Sequence, residues 1–444
     1  MTAGNEALAV KPSPDTSRIS IRQPIRAIAG NTGWLMLDRV VRMLIGVTVG
    51  AWVARHLGPE KFGALAYVIA LLAFFQTATA LGMDMILARE VPKRPADAPI
   101  LLGSALRLRL AVGSIGWSGA CIAMAFLRPG DTVALVMTAL AAGSLLLQPA
   151  DLVDLWFQSQ SQSRRAAIPR IVSFLTVSGL RVVLILLDAP LWTFAAAYLV
   201  DAALATLFIR AAYRRHPTAS TWRWDRGTAW ALLQHSWPML LSGISIVAYM
   251  RIDQLLLRSL AGDRELGLYS AILPFSQAWN FIPTTVCASA MPFLVRLNAD
   301  NPNAFRQRLL HLFGLLTWCS FGLCAVVSLG SAPLVHGLLG TRFESASNIL
   351  SVHVFSNVPI FLGVAQMAYL TIVGRTRLIL FQTLAGVVAS VALNLILIPR
   401  FGALGSAIAG VAAQSVSAVL CNSFLAPELF RMQMTAWFTI VRRR

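Results

Sequence analysis

Nine charged side chains interrupt apolar runs long enough to cross a bilayer: Asp38, Arg39, Arg42, Asp151, Asp154, Arg181, Asp201, Arg251 and Asp253. An ionisable group at membrane depth is costly and usually faces a bundle interior or water, which makes these residues the site candidates. A guanidinium fork binds phosphate bidentately, so Arg39, Arg42, Arg181 and Arg251 suit an anionic ligand. The carboxylates Asp38, Asp151, Asp154, Asp201 and Asp253 could relay protons, bind Na+, or neutralise the arginines. Arg39 and Arg42 lie on one helical face at i, i+3, and Asp38 reaches Arg42 at i, i+4. A structural pair of Arg181 with Asp201 competes with ligand binding. Arg251 and Asp253 point about 200° apart on a helix and cannot both face one cavity. Further along, Pro274, Pro283 and Pro292 each remove a backbone donor, and Gln277 and Asn280 lie among them. Such breaks fit either a bending helix that lines a cavity or a static kink.

The elements that carry these residues follow from composition. Of 444 residues, 57% are hydrophobic and 13% charged, about half the charged share of a soluble domain, which excludes an ordinary soluble enzyme. The apolar runs, about 18 to 25 residues each, cross a hydrocarbon layer about 30 Å thick as helices. Twelve spans are predicted, at 30–54, 61–82, 105–127, 132–157, 167–187, 190–211, 234–257, 266–292, 308–331, 346–372, 377–398 and 402–425. All are helical, because an unclosed strand cannot satisfy its backbone in lipid.

The net charge of +18 does not form the single basic patch that nucleic acid needs. Counted loop by loop, 26 lysines and arginines fall on one side and 7 on the other, which predicts that both termini are cytoplasmic. Residues 1–27 form a polar cytoplasmic tail without the h-region of a removable signal peptide. The remaining divisions are an N-lobe at 28–212 (spans 1–6), a basic cytoplasmic linker at 213–233, a C-lobe at 234–425 (spans 7–12) and a cytoplasmic tail at 426–444. Trp222, Trp224 and the surrounding arginines suit either an anchor on anionic headgroups or a plain linker. The lobes echo one another: Asn31–Trp34 parallels Gln234–Trp237, Arg55 pairs with Arg258 and, after one inserted residue, Gly63 with Gly267. The fold class is therefore an all-α polytopic membrane protein, two six-helix lobes around a central cavity.

None of the three lysines, Lys11, Lys61 and Lys93, sits in a phosphate-cradling Gly-rich loop, which excludes an ATPase. The short external connections argue against a membrane sugar transferase or polymerase. His235, His311 and His353 read as helix-end or interhelical hydrogen bonds, and the five cysteines show no metal-like spacing. Neither an enzyme nor a bound metal or cofactor is indicated. Transport remains.

Several motifs sharpen this. Arg55-His-Leu-Gly-Pro-Glu-Lys-Phe-Gly63 links spans one and two, and Trp156-Phe-Gln158 ends span four. Ile252-Asp-Gln254 and Gly267-Leu-Tyr269 surround spans seven and eight. Asn394-Leu-Ile-Leu-Ile-Pro-Arg-Phe-Gly402 precedes Gly405-Ser-Ala-Ile-Ala409. Over residues 28–425 the chain resembles the polysaccharide-biosynthesis branch of the multidrug/oligosaccharidyl-lipid/polysaccharide (MOP) exporter superfamily. The resemblance implies a MATE-like V of two lobes that alternates between inward- and outward-open states in the bacterial inner membrane. It implies a flippase for undecaprenyl-diphosphate-linked repeat units of O-antigen, capsule or exopolysaccharide, with a polysaccharide polymerase and export machinery as partners. The four arginines would then meet the diphosphate or an acidic sugar, with H+ or Na+ as the candidate coupling ion. A drug/cation antiporter of the same superfamily is the alternative.

Overall fold

The computed structural model describes residues 22–160, 162–216 and 221–439, with side chains from 38 to 436 within those ranges. The predicted N-terminal tail lies outside them up to residue 21. Among the described residues every regular element is helical, as lipid requires of a chain that must satisfy its own backbone. Nine helical stretches are long and apolar enough to cross a membrane. Three are broken by a glycine at positive φ, namely Gly58, Gly262 and Gly402. Each of these supplies two legs, which brings the described legs to the twelve expected.

In the N-lobe these are α1 (22–57), α2 (59–80), α3 (Ala98–Leu127), α4 (Thr132–Ser159), α5 (Ser163–Leu186) and α6 (Leu191–Arg214). The C-lobe holds α7 (226–261), α8 (263–300), α9 (Pro302–Leu329), α10 (Ala346–Ile372), α11 (377–401) and α12 (403–425). The segment after α12 is also helical: α13 (Pro427–Thr439) buries Leu429, Met432 and Ala436.

Gly58 (φ 74°) and Gly262 (φ 89°) reverse the chain at the same end of their lobes, in a conformation that costs a side-chain-bearing residue strain. This is the tip end. Here the lobes touch backbone to backbone. A Cβ on Gly63 would collide with the carbonyl of Asp263, and one on Gly267 with the carbonyl of Pro59. The two contacts are mirror partners at a common offset, as a two-fold relation between the lobes requires.

Charges bolt the same seam. Arg128, on the α3–α4 connection, pairs with Asp263 of the C-lobe and with Asp131 at 3.3 Å. Arg258 lies 3.5 Å from Asp263. The Arg128 and Arg258 guanidinium groups sit 5.8 and 5.3 Å from the Tyr67 ring centre, within cation–π range. Glu265 accepts the Ala403 N–H at 2.7 Å and thereby holds the α11–α12 turn.

One apolar core fills the tip end and draws on both lobes, with Val53, Tyr67 and Leu71 beside Leu266, Tyr269 and Leu339. At the opposite end, where residues 215–225 join the lobes, the packing divides. Leu87, Leu102, Phe157 and Ile209 form an N-lobe core, while Phe313, Phe361, Leu362 and Leu429 form a separate C-lobe core. Two lobes fused at one end and separately packed at the other make a V. The start of α7 crosses the divide, with Leu232 in the N-lobe core and Leu240 against it.

The end of the linker at residues 223–225 is bonded to α3. Arg223 donates its N–H to the Pro99 carbonyl at 2.9 Å, and Asp225 donates its own to Ser104 Oγ at 3.1 Å. Gly103 is bare because a Cβ would strike the Arg223 backbone. Asp225 then caps α7 by accepting the Thr228 N–H at 2.6 Å, an N-cap that satisfies one orphan donor of the first turn. Hydrogen bonds from Thr228 hold the Asp225 carboxyl below the usual carboxylate range.

Candidate functional site

Between the lobes lies a cavity of about 280 Å³ bounded by α1, α2, α5, α6, α7 and α8. Gly46 and Gly50 of α1 leave room along one wall, and α8 contributes Ser270, Pro274 and Gln277. Two of the predicted arginines meet here from opposite lobes, Arg181 on α5 and Arg251 on α7. Arg181 stacks 4.9 Å from the Tyr198 ring centre. Among the described residues neither arginine forms an ion pair. The cavity therefore presents two guanidinium forks that no carboxylate pairs directly, the chemistry that receives a phosphate or carboxylate.

The competing Arg181–Asp201 pair is not made. Asp201 instead accepts from Ser173 Oγ at 3.1 Å within the N-lobe. Asp253 turns away from Arg251 as the helical angle demands, and accepts from the Tyr269 hydroxyl at 2.6 Å.

Towards the linker end a second charged group begins. Asp38 accepts from Arg42 Nε at 2.8 Å, the expected i, i+4 pair. Arg42 also lies 5.1 Å from the Phe174 ring centre. Arg170, near the inner end of α5, completes the group by reaching Asp154 at 2.6 Å and Asp38 at 3.7 Å. A sequence signal existed: Ile168, Ile171 and Val172 flank Arg170 with apolar residues. Arg42 and Gly46 share a face of α1 at i, i+4, which sets this group one turn from the cavity wall. Arg251 is 11 residues from its tip glycine and Arg42 is 16 from its own. The corresponding depths are about 16 and 24 Å at about 1.5 Å per residue. Cationic groups thus occupy successive depths.

Other predicted residues lie elsewhere. Arg39 is exposed and lines no part of this cavity. Asp151 borders a smaller N-lobe cavity of about 170 Å³ together with Gln76 and Arg170. The α8 group splits at the 3-10 turn Ala278–Asn280. Pro274 and Gln277 face the central cavity, whereas Asn280 faces a C-lobe cavity with Tyr249 and Gln382, and Pro283 is buried. Tyr198, Gln254 and Ser270 were missed as cavity residues because polar groups of ordinary helix composition carry no periodic signal. His235 and His311 bond carbonyls of their own helices at 2.6 and 2.8 Å. His353 bonds Ser276 Oγ across helices at 2.8 Å.

Residues 28–298 match the model of a family described as polysaccharide biosynthesis protein. No curated protein matches the sequence. Among solved structures, a multidrug resistance MATE family transporter of the MOP superfamily, in an inward-facing conformation, superposes with a TM-score of 0.69 at 16% identity. The match covers 89% of this chain and 96% of that one. The lipid II flippase MurJ, in an inward closed conformation, gives 0.68 at 11% identity, covering 93% and 91%. A MOP superfamily transporter from Pyrococcus furiosus gives 0.56 at 18% identity, covering 94% and 96%.

Proposed function

The chain belongs to the polysaccharide biosynthesis protein family, and from that premise we propose that it flips undecaprenyl-diphosphate-linked oligosaccharide repeat units across the bacterial inner membrane. The polysaccharide served would be an O-antigen, a capsule or an exopolysaccharide. In this reading the linker end is cytoplasmic, and a polymerase and export machinery receive the product on the far side.

The observation that carries the reading is the meeting of Arg181 and Arg251 in one interlobe cavity without a carboxylate partner. A diphosphate must leave the headgroup region while its polyprenyl tail stays in lipid, and unneutralised guanidinium groups lower that barrier. Arg42 and Arg170, balanced by Asp38 and Asp154 and set towards the linker end, form the first station from that end. Arg251 and Arg181 form the next. A cavity of about 280 Å³ falls just below the range of about 300–1,000 Å³ usual for small-molecule sites. In this reading the diphosphate would occupy it, and the sugars would extend towards the end where the lobe cores separate. A cationic drug would meet two arginines that form no ion pair, which disfavours the antiporter alternative. The carboxylates Asp38, Asp151, Asp154 and Asp253 are the groups through which H+ or Na+ would drive the cycle.

The test uses proteoliposomes and a labelled undecaprenyl-diphosphate-linked oligosaccharide followed between leaflets. Removing both Arg181 and Arg251 by alanine substitution is expected to reduce flipping at least ten-fold, about 1.4 kcal/mol of lost stabilisation. Full flipping by the double variant at equal protein content would sink the assignment.

A further inference from the structure

A larger cavity lies outside the interlobe site, on the N-lobe at the linker end. Its volume is about 720 Å³, and α3, α4, α6 and the linker enclose it. Leu106, Leu110, Leu146 and Val153 give it apolar walls, and Leu110 and Leu146 are 41% and 37% exposed. Its mouth is different. Arg210 and Arg214, one helical turn apart on α6, line it and stay exposed. Neither forms an ion pair among the described residues.

Trp222 forms the rim and donates its indole N–H to the Tyr213 hydroxyl at 2.8 Å. Arg107 sits 5.6 Å from the Trp224 ring centre beside it. Indole rings held at the end of a helix bundle, with cations around them, mark the depth of a headgroup layer. The linker bonds to α3 described above keep this rim in place, so the groove is built into the fold.

We propose that this groove holds one anionic phospholipid, its phosphate on Arg210 and Arg214 and its acyl chains along Leu106, Leu110 and Leu146. The charge complementarity is that of basic pockets between membrane helices, which take acidic lipid headgroups. The length of apolar wall behind the arginines distinguishes a lipid from a free phosphate, which would use the mouth alone. The site is separate from the interlobe cavity and stands whether or not the chain is a flippase.

The test titrates purified full-length protein in detergent with phosphatidylglycerol or phosphatidylcholine. Bound lipid is counted by native mass spectrometry, and the melting temperature is followed in parallel. Phosphatidylglycerol is expected to bind one for one and to raise the melting temperature more than phosphatidylcholine does. The double substitution Arg210→Ala, Arg214→Ala should weaken phosphatidylglycerol binding at least ten-fold. Leu146→Trp, which fills the apolar wall and leaves both arginines, should weaken it as well, so a folding defect in either variant does not decide the result. Equal binding of the two lipids, or unchanged binding in both folded variants, would overturn the proposal. So would displacement by millimolar inorganic phosphate, which would make this a free-anion site, or by equimolar undecaprenyl phosphate, which would give the groove to the substrate carrier.

Discussion

The tip end and the linker end are built from the same twelve helices and solve opposite problems. At the tip, side chains from both lobes share one core, opposite charges meet across the seam, and glycines bring backbone against backbone. Towards the linker end the cores separate, and the cations either pair within one lobe or stand alone in the cavity. Closure comes from compensated charge and small residues, whereas a ligand site needs uncompensated charge and space. The lobes are thus closed on one another at the tip and packed as separate cores at the linker end.

That contrast can be broken most strongly at Gly267. Alanine raises helix propensity by about 1 kcal/mol over glycine, so Gly267→Ala should leave α8 as stable as before. Its Cβ nevertheless collides with the Pro59 carbonyl when the tips close. Flipping should fall to background, and the melting temperature should drop as well, because moving the tips apart uncovers part of the shared core. Spin labels at Leu187→Cys and Glu344→Cys, one on each lobe near the tip, should report a wider separation. Normal flipping and an unchanged distance would show that this backbone contact is not what closes the tip.

A smaller effect is expected from Arg128→Ala. Arg258, on the same lobe as Asp263, keeps its contact with the Tyr67 ring across the seam, so the seam loses one charge-assisted contact, the Arg128–Asp263 ion pair, and not all of its contacts. Such contacts are worth about 1.5–3 kcal/mol, and the ratio of closed to open tips should fall roughly ten-fold or more. The same pair of spin labels measures it, and an unchanged distance distribution would show that the shared core alone closes the tip. The smallest effect belongs to Arg39→Ala. Because this side chain is exposed and makes no ion pair among the described residues, flipping should stay within about two-fold of the parent in the liposome assay. A ten-fold loss would return Arg39 to the substrate path.

Much of this architecture was legible in the sequence because lipid enforces it. Apolar run length fixed the legs, and the match of Gly63 with Gly267 anticipated a two-fold relation that appears as mirrored backbone contacts. Local pairs were legible too, as with Asp38 and Arg42 at one helical turn. Pairs distant in sequence were not. Arg170 meets Asp154 across a helix-to-helix turn, and Arg109 reaches Asp84 at 2.7 Å while 1% exposed. Both arginines fall near the inner ends of predicted spans and count with the inner-side charges, and nothing in their local pattern names the carboxylate each one meets. Nor could periodicity distinguish Arg39 from Arg42, whose positions on one face differ by a single turn at the edge of the bundle. Arg128 and Asp263 were invisible as a pair, since nothing local relates the two connections.

The mirrored contact at the tips has one more consequence. Gly63 touches the partner position of Pro59, and Gly267 touches Pro59 itself, so each half offers the same donor patch and receives the same patch in return. That is the pattern of an isologous dimer interface, in which one surface is self-complementary under a two-fold axis. The chain is thus a dimer of six-helix units whose interface has become internal, and a change on one side of the tip is felt once and not twice. Arg128 and Asp263 depart from that symmetry: identical copies would make such an ion pair twice across the axis, whereas here Pro59 stands at the position matching Asp263 and the pair is made once.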